Sequence, residues 1–224
     1  MSTLVMEPVA RPLPAGTARP AFVFLGERLW LDFVNTDEIH RGVSRDSIHD
    51  FDSLASWLGA ALALDAERVM GLRRRAQQQS SGASAALSEA RRVRSALRRL
   101  AEHGATDEAI RLDALAEINR VLTRSAGTRR VEQREDGTFA RTFIPGGDAF
   151  AGLMIPVVES AADALILGEL VRVRRCADPR CARVFHDGTR NGRRRWCDMA
   201  SCGNRAKAAR HRQRVAQGRE VVAD

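Results

Sequence analysis

Four cysteines constrain this chain more than any other feature. All of its cysteines fall between Cys176 and Cys202, in two pairs with four residues inside each pair and fifteen between the pairs. A tetrahedral Zn²⁺ takes four thiolate or imidazole ligands, with sulfur about 2.3 Å from the metal. Two short loops that each carry two sulfurs supply this geometry with little backbone strain. Two disulfides are the competing arrangement. Structural disulfides belong to oxidising compartments, and the N-terminal segment does not read as an export signal. The reading is therefore one zinc ion in a cytoplasmic protein, with Cys176, Cys181, Cys197 and Cys202 as its ligands. His186 and His211 are the alternative imidazole donors. A closed shell of four thiolates leaves no position for water, so the metal is expected to be structural, not catalytic.

Charge is concentrated in the same region. Residues 171–224 hold fifteen Lys/Arg against five Asp/Glu, a net of +10, whereas the whole chain carries +8. The first 170 residues are therefore slightly acidic. A coding bias explains why lysine occurs only once, at Lys207, but it does not explain one sign of charge in one quarter of a chain. A localised basic excess marks a polyanion partner. Apolar runs are too short and too interrupted to span a bilayer.

Along the chain, residues 1–20 contain four of the seven prolines and read as a disordered leader. Ala21 to Phe33 alternates around Gly26-Glu27 as strand–turn–strand or strand–turn–helix. Asp32, Asn35 and Thr36 then form a small polar cluster, either a ligand-binding centre or caps and turn closures; the structural role is favoured. A helical period follows. Leu54, Trp57 and Leu58 mark a short helix ending near Gly59, and Val69, Leu72 and Ala76 mark one that starts near Asp65. Leu87, Ala90, Val93, Leu97, Leu100 and Ala101 line the face of a longer helix. Its other sides carry Arg91, Arg92, Arg94, Arg98 and Arg99, read as a solvated face. Thr106-Asp107-Glu108 opens a further helix, with a side-chain cap and two acidic first-turn residues, and Ile110, Leu115, Ile118 and Leu122 inward. Arg130 to Phe143 reads as a hairpin around Asp136-Gly137. From Asp148 to Arg172 a helical segment follows, which Pro156 kinks or restarts, with Ala161, Leu165, Gly168 and Val171 inward.

In the zinc module, Ala182–Phe185 is expected to pair with Arg193–Trp196. Asn204 to about Gln217 then forms a helix carrying Arg205, Lys207, Arg210, Arg212 and Arg214. Arg190, Arg193, Arg194 and Arg195 are expected to add phosphate contacts, since positioning contacts outnumber base-reading ones.

Cys202-Gly203-Asn204-Arg205, with Arg195-Trp196-Cys197 before it and Ala206-Lys207 after it, resembles the signature of the CGNR zinc-finger family. Leu31-Asp32-Phe33-Val34-Asn35-Thr36 is similar to the opening motif of the α/β domain, called ABATE, that accompanies this finger. The two motifs bracket residues 22–214. The resemblance implies a treble-clef-like finger, a DNA-binding role, and membership of a bacterial family described as stress-induced transcription regulators.

The fold class expected is α+β: a mostly helical N-terminal domain with a small antiparallel sheet (21–172), then a treble-clef-like zinc finger (173–217) and a short tail (218–224). No P-loop, dinucleotide fingerprint, nucleophile elbow or catalytic metal motif is present, so no enzymatic activity is expected. The function expected is zinc-dependent DNA binding in transcription regulation. RNA binding or protein interaction through a structural zinc is the alternative. A homodimer and a small-molecule effector are compatible partners; a membrane is not.

Overall fold

The computed structural model describes residues 22–40, 43–133 and 137–220. The expected leader, the last four residues and Asp136 lie outside these. Among the described residues no helix is long and apolar enough to cross a membrane.

Short polar caps divide the helical part into separate rods. The first helix, α1 (Leu29–Val34), is only six residues long, and five of them are buried. It is followed by a hairpin, β1 (Asp37–His40) with β2 (Val43–Asp46), in register from Asp37↔Asp46 to His40↔Val43. The Asp50 side chain accepts from the Ser53 N–H in a capping box that starts α2 (Phe51–Ala60). Asp65 caps α3 (Ala66–Gln78), and Asp107 caps α5 (Glu108–Arg124). Between them α4 (Ser80–His103) is the longest helix, with an inner face of Ala90, Val93, Leu97 and Leu100. On α5 the buried residues are Ala114, Ile118 and Val121, whereas Leu115 is 42% exposed. Ile118 is inward as predicted, whereas Ala114 and Val121, and not Leu115 and Leu122, are the fully buried positions beside it.

The predicted second hairpin is β3 (Gly127–Gln133) with β4 (Phe139–Pro145). Pro156 restarts the chain: it lies in the first turn of α6 (Ile155–Ile166), where a missing N–H is harmless. Left-handed Gly168 (φ 67°) ends that helix, and a 3₁₀ turn (Glu169–Arg172) follows. The break turns Val171, predicted inward, outward to 62% exposure.

One core joins all these pieces. Trp30, Phe33, Trp57, Leu97, Ile118, Met154 and Val158 lie within it, and Phe33 and Trp57 have ring centroids 5.0 Å apart. Among the described residues the sheets are three separate two-stranded hairpins. The third, β5 (Val173–Arg175) with β6 (Val184–His186), opens the cysteine module. Val184 belongs to the main core, while Phe185 joins the four cysteines in a second cluster. A five-residue π-helical turn (Met199–Gly203) leads into α7 (Asn204–Glu220). The architecture is helical with small antiparallel sheets, as the sequence predicts.

The hairpin within the module differs from expectation. Val184–His186 pairs with Val173–Arg175, not with 193–196. Buried Asp187 is the reason. It accepts from the Thr189 N–H (3.0 Å), the Thr189 hydroxyl (2.5 Å) and the Arg194 N–H (2.9 Å), and so curls residues 187–194 into a loop. One backbone bond, Ala177 N–H to Arg195 O (2.8 Å), carries the return strand past the knuckle.

Candidate metal centre and nucleic-acid interface

Cys176 and Cys181 flank the tip of the β5–β6 hairpin. The Cys176 N–H donates to Arg183 O (2.9 Å), and the Cys181 N–H donates to Asp178 O (2.9 Å). Cys197 and Cys202 come from the loop end and the π-helical turn. There Asp198 accepts from Ala200 N–H (3.2 Å) and Ser201 N–H (2.9 Å), fixing the turn that aims Cys202 inward. All four sulfurs are buried and lie within 4.8 Å of one another. Cys181–Cys197 and Cys197–Cys202 are 3.8 and 3.7 Å apart. A tetrahedron with arms of ~2.3 Å has edges of about 3.8 Å, whereas a disulfide needs about 2.05 Å. The donor set therefore fits a tetrahedral thiophilic cation.

Electrostatics point the same way. Burial, with Cys181 and Cys176 close by, pushes the Cys202 thiol up to about 12. Cys197 is pushed up as well, through its bonds to Cys176 and Cys181, while Cys176 is held low by accepting from Cys181 and Cys197. Four thiols this close cannot all ionise alone; a divalent cation bound by all four stabilises each as thiolate. His186 is not in the cluster. It is buried on β6 beside Arg28 and Glu169, and burial and the Arg28 charge hold its imidazole below the ordinary range.

The signature residues after Cys202 brace this centre. Gly203 is in contact with Met199: a Cβ there would lie 2.7 Å from the Met199 sulfur. Asn204 Nδ2 donates to Ala200 O (3.1 Å). Arg205 donates from Nε to Asp178 (2.8 Å) and from Nη2 to the Cys202 sulfur (2.8 Å), tying the helix to both the knuckle and the cysteine cluster. Burial would raise the Asp178 carboxyl, but the Arg205 guanidinium and the Arg180 N–H outweigh it and hold it below the usual range.

The nine predicted polyanion contacts fall into two groups. Arg205 and Arg194 face inward. Arg194 donates to Trp196 O (3.0 Å) and Cys197 O (2.5 Å), pairs with Glu27, and lies 4.5 Å above the Phe185 ring. Arg190, Arg193, Arg195, Lys207, Arg210, Arg212 and Arg214 are exposed. Arg195 and Arg210 both approach the Trp196 ring, at 5.2 and 6.0 Å. From Lys207 to Gln217 every residue but Ala209 is exposed, so most of α7 stands clear of the body.

Asp32, Asn35 and Thr36 have their polar atoms engaged inside the protein. Asp32 accepts from the Leu25 and Gly26 N–H groups (2.8 and 2.7 Å), and burial pushes its carboxyl up to about 6. Asn35 pairs with Val184 as a neighbouring strand would, donating to its O (2.8 Å) and accepting from its N–H (2.9 Å). Thr36 donates to Phe33 O and accepts from Arg94. None of the three lines the cleft of about 590 Å³ formed by Arg28, Leu62, Phe139, Arg141, Asp163 and Glu169 among others.

The arginines of α4, expected on a solvated face, include two anchors. Arg94 is buried on Asp46 in a two-armed pair at 2.7 Å. Arg98 bonds Val34 O (2.7 Å), Ala182 O (3.0 Å) and Asp37 O. An isolated helix pattern cannot reveal these roles, because the acceptors lie on α1, β1, β2 and the knuckle.

No curated protein matches the chain. Two family models do. One, described as "Putative stress-induced transcription regulator" (ABATE), matches residues 27–168; the other, the CGNR zinc finger, matches residues 172–215. The helical domain with its LDFVNT motif and the four-cysteine module with its CGNR turn thus place the chain in the ABATE family, whose domain is followed here by a CGNR zinc finger.

Proposed function

We propose that this protein is a zinc-dependent, DNA-binding transcription regulator in the cytoplasm. One structural Zn²⁺ on Cys176, Cys181, Cys197 and Cys202 holds the base of α7, and α7 contacts DNA. The observation that carries this reading is the exposure of α7. Lys207, Arg212 and Arg214 make no ion pair among the described residues, and the helix has no apolar stripe that would dock it on the protein. A bare basic helix fixed at one end matches the width and charge of a nucleic-acid groove. The signature arginine serves a different purpose: Arg205 braces the metal centre, so contacts to phosphate and base belong to Lys207, Arg210, Arg212 and Arg214, with Arg190, Arg193 and Arg195 from the loop. With four thiolates the metal has no open position for chemistry, which supports a binding role over catalysis. The helical domain, residues 21–172, serves assembly or sensing.

The test is selection of the zinc-loaded protein against random duplex DNA, then a salt titration on the enriched sequence. Enrichment is expected, with a steep salt dependence. Replacing Lys207, Arg212 or Arg214 by Ala should each lower the slope of log K against log [salt] by about 1. Salt-sensitive binding without enrichment would make the protein a non-specific polyanion or RNA binder, and an absence of binding would make α7 a protein-contact element.

A further inference from the structure

The β3–β4 hairpin has an open edge at β3 among the described residues. Among the described residues β3 has one partner, β4, and all seven of its residues are exposed. Natural sheet edges are blunted by proline, bulges or charged side chains; of these devices β3 carries charge, of both signs, in Arg129, Arg130 and Glu132. This strand contains no proline, and its register with β4 runs unbroken from Gly127↔Pro145 to Gln133↔Phe139.

The direction of its free hydrogen-bonding groups follows from the register. The Gly146 N–H donates to Ala126 O (2.9 Å), which makes that pair a hydrogen-bonded one. Antiparallel pairs alternate, so Thr128, Arg130 and Glu132 direct their N–H and C=O toward β4. Those of Arg129, Val131 and Gln133 point outward. Proline at 145 fits this pattern, since its missing N–H falls in a pair that exchanges no bonds.

We propose that β3 is a self-association edge, on which a second copy of this chain pairs antiparallel about a two-fold axis at Val131. Charge selects the partner and the register. In this arrangement Val131 meets the partner's Val131 in a hydrogen-bonded pair, and both are apolar and otherwise 69% exposed. Arg130 then lies opposite the partner's Glu132, and Glu132 opposite the partner's Arg130, in the closer non-hydrogen-bonded pairs where side chains meet. A two-fold at Arg129, Arg130 or Glu132 would set like charges face to face. Two-fold pairing of identical surfaces is the commonest form of oligomer. The strand geometry carries the inference by itself, without the DNA-binding reading; if both hold, two basic helices are presented together and each raises the effective concentration of the other.

The test is sedimentation velocity on the zinc-loaded full chain over a concentration series, with no nucleic acid present. With the axis at Val131 the paired stretch is Arg129 to Gln133, five residues from each copy; this is smaller than a standard interface, so a reversible dimer in the micromolar range is expected. R130E and E132R each create two like-charge pairs and should weaken dimerisation roughly tenfold, with the far-UV spectrum unchanged because both side chains are exposed. The double variant R130E/E132R restores opposite charges and should recover the wild-type constant. A chain that stays monomeric throughout overturns the proposal, as does a dimer that the single variants leave intact. Failure of the double variant to recover overturns the register.

Discussion

Arg205 shows how one side chain can be read two ways from sequence. In a basic stretch it resembles its neighbours Lys207, Arg210 and Arg212. In the structure its planar fork is used up on Asp178 and the Cys202 sulfur. Partners that orient a metal ligand typically change affinity by about 10- to 100-fold when removed. Arg205→Ala should therefore lose zinc that much more readily to a competing chelator, and Arg205→Lys should recover only part, because an ammonium cannot span both acceptors. Unchanged zinc affinity would return Arg205 to the set of surface arginines. Asp32 makes a second residue-scale prediction. Its carboxyl is raised by burial to about 6, above the range of an unfolded chain. The folded state therefore binds a proton more readily between about pH 4 and 6, and this group's contribution to stability falls as pH rises through that window. Carboxyl NMR should place its titration near 6 in the folded protein, and Asp32→Asn should remove that part of the stability–pH slope.

At the scale of elements, the LDFVNT stretch is a clasp. It joins the last four residues of α1 to the polar pair Asn35-Thr36, and it holds the segment before it through Asp32 and the β6 strand through Asn35. Replacing Asn35 by Ala leaves the Val184 N–H and C=O buried without partners, and unfolding of the zinc-loaded protein in urea should show a loss of roughly 2–4 kcal/mol. A loss under 1 kcal/mol would mean that water or a neighbouring group takes over the pairing. The sequence reveals the elements unevenly for physical reasons. The cysteine spacing, the helix starts near Asp65 and at Thr106-Asp107-Glu108 and the long apolar face of α4 are local signals, and each was legible, although Asp107 and not Thr106 supplies the second cap. The β1–β2 hairpin was not, because its four-residue strands carry little apolar alternation and are held by Arg94 and Arg98 from a helix some fifty residues later. The pairing of β6 with β5 was hidden for a similar reason: it depends on how a single buried carboxylate, Asp187, bends the loop after it.

For the whole molecule, two hydrophobic clusters meet at β6, whose Val184 faces one and Phe185 the other. The larger cluster needs no metal; the smaller is little more than the cysteines, Phe185, Leu25 and Trp196. Chelating zinc should consequently melt the C-terminal module while leaving α2–α6 folded. Hydrogen exchange should show protection lost from residue 176 onward and kept at the amides of α4 and α6. A single cooperative loss of both would show instead that the clasp makes them one folding unit. Zinc at a structural site contributes on the order of 10 kcal/mol of folding free energy, so the module should recover on adding the metal back.

Two grips that fasten the cysteine module to the helical body share one property. Asn35 grips the main chain of Val184, and Arg98 grips the carbonyl of Ala182. Neither bond depends on the side chain it meets. These two grips are blind to the side chains they hold, and the Arg194–Glu27 pair adds one side-chain link; a loop and helix beyond β6 that keep Arg194 are therefore free to change their reading surface while their bearing on the body stays the same. A chimera that takes residues 187–217 from another member of the family should point its helix in the same direction, which makes the module an interchangeable head on a fixed stock.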